Sequence, residues 1–146
     1  MHTAGLLQHL EIYVADLDRT TAFWTPLLER LGWTAYQRWP GGRSWRLGPT
    51  YLVFVQVAED AREPGYDRRR VGLNHVALHA GTPEQVEQLV HDLGVPLLYA
   101  DRHPYAGGPN HYAAYVEDPD GIKVELVAAL DGAAGLSGPA GRPAPP

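Results

Sequence analysis

Alternating hydrophobic and polar residues mark two strand candidates that resemble each other. The stretch LQHLEIYV at 7–14 and the stretch LNHVALHA at 73–80 each contain a leucine, an amide side chain, a histidine and then an alternating apolar run. Such alternation is typical of a strand that buries one face. We therefore predict strands at 7–14 and 73–80, with His9 and His75 at equivalent positions.

Each of these strands is followed by a segment with helical spacing. Apolar residues recur at helical intervals over 19–31, and Gly32 provides a stop. The stretch GTPEQVEQLVHDLG at 81–94 has Thr82 as a predicted N-cap and ends on Gly94. The pattern therefore predicts one helix after each of the two similar strands.

The remaining strand candidates complete the same order twice. They are the segments 33–39, 43–47, 51–57, 95–101, 111–116 and 122–128. We predict an α+β fold of tandem βαβββ modules, with module one at 5–57, a linker at 58–70 and module two at 71–128. Two modules together can form a curved eight-stranded mixed sheet, a cup, with the helices outside. Residues 1–130 would be a single domain, and the Gly/Pro/Ala-rich tail at 131–146 is expected to be disordered.

Composition narrows the classes of function. The formal net charge is -5, which does not favour binding to nucleic acid or to an anionic membrane. The chain has no cysteine, which excludes disulfides, thiolate metal ligands and a cysteine nucleophile. The N-terminus lacks the pattern of a signal peptide, and no apolar run approaches the length of a membrane span, so a cytoplasmic location is expected.

Polar side chains with metal-binding atoms recur on the predicted inner face of the sheet. We predict that the odd-numbered valines of 51–57 face the helices, which places Gln56 on the opposite, inner face. If the two modules are related by a pseudo-twofold axis, Gln56 is then equivalent to Glu125. Two imidazoles and one carboxylate suit a divalent transition ion, while Gln56 either adds a neutral oxygen or hydrogen-bonds a ligand or a neighbouring histidine. An isolated strand histidine is more often a satisfied polar residue, but the repetition favours a metal site. The predicted ligands are His9, Gln56, His75 and Glu125.

The chain resembles the vicinal oxygen chelate superfamily, also called the glyoxalase/bleomycin-resistance/extradiol-dioxygenase fold, over roughly residues 5–128. The similar segments are LQHLEIYVADLDRTTAFW…LLERLGW, GLNHVALHA and EDPDGIKVELV. The resemblance implies one divalent metal ion per site (Zn, Ni, Co, Mn or Fe(II)) that binds two neighbouring oxygens of a small-molecule substrate. By motif position, His9, His75 and Glu125 match the metal ligands, and Gln56 sits where lactoylglutathione lyases usually have a glutamate.

The chemistry that the resemblance implies is that of a glyoxalase-like lyase or isomerase, which stabilises an enolate or oxyanion. Such a reaction needs a base. The candidates are Glu125, if it loosens from the ion, and Glu11, which shares a face with His9.

Three alternatives remain open. The first is an Fe(II) extradiol-type dioxygenase with His111 as acid or base, although the tyrosine usual near the last ligand is missing after Glu125. The second is a non-catalytic drug-binding resistance protein, against which the intact His/His/Glu set counts. Thiol transfer to fosfomycin ranks lowest, because Tyr115 matches those transferases but Ala113 replaces their serine.

Aromatic and histidine side chains are the candidate substrate contacts, and the loop DRHPYAGGPNH at 101–111 is a candidate lid. The candidate contacts are Tyr36, Trp39, Trp45, His103, Tyr105 and Tyr115. The expected assembly is a homodimer, since one module alone exposes a sheet edge. The preferred arrangement swaps modules, so that His9 and His75 reach each metal from different chains.

Overall fold

A computed structural model describes residues 2–130 of the chain, and the tail predicted at 131–146 lies outside the described residues. Internal contacts divide the chain after Gly65. We call residues 2–65 unit one and residues 66–130 unit two. Each unit contains one sheet and one α-helix.

Unit one has the predicted order of one strand, one helix and three strands. Its elements are β1 (His9–Val14), α1 (Leu17–Arg30), β2 (Thr34–Trp39), β3 (Gly42–Leu47) and β4 (Thr50–Gln56), followed by a short 3-10 helix at Glu59–Ala61. The sheet has the order β1-β4-β3-β2, with β1 parallel to β4 and the other pairs antiparallel.

Aromatic packing decides which face of the first sheet meets α1. The ring of Trp24 on α1 lies 4.9 Å from the ring of Phe54 on β4. The register pairs Ile12 with Phe54, so the even-numbered residues of both strands face the helix. The prediction that the odd-numbered valines of 51–57 face the helix is therefore wrong. His9 and Glu11 lie on the opposite face, which we call the open face.

Unit two has fewer strands than predicted. Its elements are β5 (His75–His79), α2 (Pro83–Leu93), β6 (Ala113–Glu117) and β7 (Lys123–Val127), and its sheet has the order β5-β7-β6. The predicted strand at 95–101 is wrong, because only Leu98 forms an isolated bridge, with Tyr115. Pro96 has no N–H to donate, and Tyr99 has a φ of 57°, which breaks an extended chain. The described sheets therefore have four and three strands, and the eight-stranded cup is not confirmed.

Local capping explains where both helices begin. The carboxylate of Asp16 accepts hydrogen bonds from the N–H groups of Asp18 and Arg19, which caps α1. Thr82 and Gln85 form a capping box at the start of α2. Neither helix has the length and apolar character needed to cross a membrane, and the same holds for every helix within residues 2–130.

Candidate metal and catalytic site

Strand register brings the candidate residues of unit two to one face of its sheet. His75 on β5 lies opposite Lys123 on β7, and Tyr115 on β6 lies opposite Glu125 on β7. Because side chains alternate between faces, Lys123 and Glu125 point to the same side, together with their cross-strand partners.

The carboxylate of Glu125 is the centre of this group. Its Oε2 lies 3.0 Å from Nε2 of His75, and its Oε1 accepts a hydrogen bond of 3.0 Å from the Tyr115 hydroxyl. Nε2 of His111 contacts the same Oε1. Glu125 is only 5% exposed, so these contacts replace the water that its charge has lost. We call these four residues the Glu125 cluster.

Asn74 determines which nitrogen of His75 carries a proton. The Asn74 Nδ2 donates to the Arg68 carbonyl oxygen at 3.1 Å, which turns Oδ1 towards His75 Nδ1 at 2.8 Å. An amide oxygen only accepts, so Nδ1 carries the hydrogen. Nε2 of a neutral His75 therefore presents a lone pair to the carboxylate. Since two lone pairs repel, the 3.0 Å contact requires a proton or a metal ion between the two atoms.

The separation of His75 Nε2 and Glu125 Oε2 fits a direct hydrogen bond, and it also fits two neighbouring ligands of an octahedral divalent ion. Two ligand atoms that each lie about 2.1 Å from an ion are about 3.0 Å apart at the right angle of octahedral coordination and about 3.4 Å apart at the tetrahedral angle of zinc. The observed separation is 3.0 Å, and an imidazole with a carboxylate suits the transition ions expected from the sequence. Asn74 is the kind of outer partner that orients a ligating histidine. Within residues 2–130, no group of three or more His, Asp or Glu side chains is arranged to hold an ion, so the pair by itself is not a complete metal site.

Residues 98–111, here called the cover segment, lie over the Glu125 cluster. The ring of Tyr99 meets the ring of Tyr115 edge-on at 5.6 Å. Gly107 packs so closely that an added Cβ would lie 2.6 Å from the Tyr115 hydroxyl oxygen and 2.8 Å from His111 Cδ2. The cover segment therefore has room only for glycine at this point, and it shields the buried carboxylate from water.

Tyr115 is a permanent hydrogen-bond donor in this cluster. Burial raises the pKa of Tyr115, and the charge and hydrogen bond of Glu125 raise it further. The phenol therefore stays protonated at neutral pH and holds Oε1 of Glu125. The sequence predicts that Tyr115 contacts the substrate from a pocket wall. In the structure Tyr115 instead lies inside the site and is only 3% exposed.

His9 and Glu11 both lie on the open face of unit one. The His9 ring stacks on Tyr51, with centroids 4.7 Å apart, and its Nδ1 contacts the side-chain oxygen of Gln8. Each unit thus has an amide side chain that contacts Nδ1 of the following histidine. Both His9 and Glu11 are exposed, and their roles as metal ligand and base stay predictions.

Gln56 is engaged on the helix side of β4. Its Oε1 accepts a hydrogen bond from the Leu17 N–H at 2.9 Å, and its Nε2 donates to the Ala15 carbonyl at 2.8 Å. The register gives Val53, and not Gln56, the position equivalent to Glu125, so the predicted equivalence is wrong. Binding a metal through Gln56 would require the amide to leave the start of α1.

The aromatic candidates of unit one divide between two environments. Tyr36 and Trp39 are exposed, and the guanidinium carbon of Arg46 lies 4.8 Å from the Tyr36 ring centroid. Trp45 is buried and contacts Phe54, which faces α1. The structure thus places Trp45 in the hydrophobic core, where a substrate contact is not supported.

His103 and Tyr105 belong to a second polar group, beside α2. Oε1 of Glu87 lies 2.7 Å from Nε2 of His103 and accepts a hydrogen bond of 2.6 Å from the Tyr112 hydroxyl. The Tyr105 ring lies 5.8 Å from the Tyr112 ring. The hydrogen bond to Glu87, with a smaller contribution from burial, raises the pKa of Tyr112 to about 12. The structure therefore brings these two candidates to α2, whereas it brings His111 and Tyr115 to Glu125.

Sequence reasoning missed three residues at the site, namely Asn74, Tyr99 and Lys123. The repeated amide before each histidine was a usable signal for Asn74. Lys123 stands two residues before Glu125 in a predicted strand, so alternation alone places both on one face. Nothing in the local sequence indicates the positive φ of Tyr99.

Comparison with known proteins identifies the family. The model of the Glyoxalase/Bleomycin resistance protein/Dioxygenase superfamily matches residues 6–126, and the chain belongs to this superfamily. The resemblance noted from the sequence motifs is thereby confirmed, and superfamily members generally bind a divalent metal ion.

Two relatives are similar over nearly their whole length. The chain is 51% identical over 125 residues to the uncharacterized protein YqjT of Bacillus subtilis (strain 168). The matched residues make up 84% of this chain and 98% of the relative. A crystal structure of a candidate glyoxalase from Bacillus halodurans is 50% identical, with a TM-score of 0.84, covering 87% of this chain and 98% of that one.

A more distant solved structure shares the fold. The lactoylglutathione lyase from Agrobacterium tumefaciens is 21% identical, with a TM-score of 0.60, and the match covers 88% of this chain and 96% of that one. At this level of identity the likeness concerns the fold alone.

Proposed function

We propose that the protein is a divalent-metal-dependent, glyoxalase-like lyase or isomerase, which acts on a small substrate with two neighbouring oxygen atoms. One observation carries this proposal: Nε2 of His75 faces Oε2 of Glu125 at 3.0 Å while Asn74 holds the proton on Nδ1. His75 and Glu125 would hold the ion, and His9 remains the predicted further ligand.

A bound divalent ion supplies Lewis-acid chemistry, because it polarises the substrate oxygens and stabilises the negative charge that develops on them. The chain's own residues handle the proton. Oε1 of Glu125 accepts a proton from the substrate carbon once His111 has left this oxygen, and the Tyr115 hydroxyl holds the oxygen in place. The His111 side chain is 33% exposed and contacts the same oxygen, so it connects the buried carboxylate to solvent.

Metal binding is the first test of this proposal. Full-length protein without a histidine tag is analysed for bound metal and titrated calorimetrically with Zn, Ni and Co. We expect His75→Ala and Glu125→Gln to lose the metal, and Asn74→Ala to weaken it about 10–100-fold because an outer partner is removed. His91→Ala is the matched control, since that side chain is 83% exposed on α2. Equal metal affinity in wild type and His75→Ala would rule out the site.

Proton exchange is the second test, and it needs no knowledge of the natural substrate. Metal-loaded protein is mixed in D2O with a panel of 2-oxo and 2-hydroxy carbonyl compounds, and NMR follows deuterium entering at the adjacent carbon. We expect exchange with metal-loaded wild type and none with Glu125→Gln, which loses both the ion and the proton acceptor. Tight metal binding without exchange on any compound would exclude lyase or isomerase chemistry on that panel. Oxygen consumption with Fe(II) would instead favour the dioxygenase.

A further inference from the structure

A buried lysine lies beside the Glu125 cluster and is not used by the proposed reaction. Lys123 is 0% exposed, and it shares its sheet face with Glu125. Its Nζ lies 3.4 Å from the Tyr99 hydroxyl and 5.6 Å from the centroid of the Tyr99 ring. The hydrogen-bonding partner of Lys123 Nζ in residues 2–130 is thus the hydroxyl group of Tyr99.

Two further cations lie nearby, one against the same tyrosine and one against Glu117 on the neighbouring strand β6. The guanidinium carbon of Arg102 lies 4.8 Å from the Tyr99 ring centroid, and Arg102 is exposed. Nη1 of Arg68 contacts Glu117, which lies opposite Lys123 in the sheet, while Nε of Arg68 is buried without a hydrogen-bond partner in the described chain. Tyr99 therefore links an exposed cation with a buried one.

The carboxylates nearest in register to Lys123 already serve other groups. Glu117 pairs with Arg68, and Glu125 is shared by His75, His111 and Tyr115. A buried ammonium group has lost its water and is stabilised when an anion supplies the missing charge. The positive φ of 57° at Tyr99, uncommon for a bulky residue, holds the ring against Lys123, and such outliers are often associated with functional sites.

We propose that Lys123, Tyr99 and Arg102 form an anion subsite next to the Glu125 cluster. The subsite takes the carboxylate or phosphate group of the substrate, so the substrate is a small anionic carbonyl compound. Two residues along β7 correspond to a Cα separation of about 6.6 Å, so Lys123 and Glu125 are neighbours on one face of the strand. The identification of the ligand as a substrate rests on the proposed function, whereas the subsite itself does not.

Ligand binding tests the subsite without turnover. The full-length protein, with and without added divalent metal, is titrated with 2-oxobutanoate, with its neutral amide, and with inorganic phosphate. We expect wild type to bind 2-oxobutanoate at least about tenfold more tightly than the amide, because a charge-assisted contact is lost. Phosphate displacing 2-oxobutanoate would indicate a site open to both oxyanions, and failure to displace it would assign the site to carboxylates.

Three variants locate the effect. Lys123→Met and Arg102→Met should each lose about tenfold in affinity for 2-oxobutanoate but bind the amide as before, and Tyr99→Phe should show a smaller loss. Arg69→Met is the matched control, since this nearby arginine pairs with Asp67 and is 72% exposed. Circular dichroism checks the fold, and if Lys123→Met is unfolded, Arg102→Met and Tyr99→Phe decide.

The outcomes separate this inference from the proposed function. Equal binding of acid and amide, or an unchanged preference in Arg102→Met and Tyr99→Phe, would overturn the subsite even if metal binding and proton exchange are found. If binding of 2-oxobutanoate depends on Lys123 but the protein binds no metal and catalyses no proton exchange, the subsite stands and the proposed reaction is refuted.

Discussion

Gly107 offers a sharp test of how the cover segment is packed. Replacement by alanine puts a Cβ 2.6 Å from the Tyr115 hydroxyl oxygen and 2.8 Å from His111 Cδ2, distances that real Cβ atoms essentially never show. Overpacking of this kind destabilises by about 1–3 kcal/mol. Removing a glycine also restricts the unfolded chain, which returns about 0.4–1 kcal/mol. We expect Gly107→Ala to lower the free energy of unfolding by about 1–2 kcal/mol.

Urea unfolding followed by circular dichroism measures this loss, because all four tryptophans lie in unit one and would not report on unit two. Gly41→Ala is the matched control, because its Cβ would lie 3.7 Å from the nearest atom of Trp39, an ordinary contact. Tyr115→Phe removes the oxygen that meets the new methyl group, so the double variant should be more stable than the sum of the single effects implies. The same stability in Gly107→Ala and Gly41→Ala, or strict additivity with Tyr115→Phe, would refute this account of the packing.

Two further predictions concern assembly and alkaline pH. If the predicted swapped homodimer forms, mixing His9→Ala with His75→Ala protein restores part of the metal binding after subunit exchange, whereas a monomer by sedimentation excludes it. Because the pKa of Tyr112 is raised to about 12, its contribution to stability is complete below about pH 10 and is lost as the pH rises through 12. In an absorbance titration, the tyrosine ionisation near pH 12 should be absent in Tyr112→Phe and present in Tyr36→Phe. An unchanged titration in Tyr112→Phe would contradict the assignment.

Local periodicity was enough to predict most of the secondary structure. The strands at 7–14 and 73–80 alternate between apolar and polar residues, and the structure has β1 and β5 within them. Helix α2 begins after Thr82 and ends before Gly94, as predicted, since capping depends on residues close to each other in the chain. The same alternation placed His75 and Glu125 on one face, which the register of unit two reproduces.

Periodicity failed where a segment has no polar side. The stretch YLVFVQV at 51–57 is apolar at most positions, so either face could be buried. Contact between Trp24 and Phe54 decides which face meets α1, and this puts Gln56 on the helix side. The segment at 95–101 looked extended from its composition, but the positive φ of Tyr99 ends it as a strand.

The sequence alone identified the candidate metal ligands, because that choice depends on residue type and on alternation along single strands. Only the tertiary structure decided where these side chains lie and what they contact. Asn74 orients His75 through the Arg68 carbonyl, and Gly107 admits the cover segment that buries Glu125. These contacts depend on side-chain orientation and on ångström-scale packing of a loop against a strand, which leave no periodic signal in the sequence.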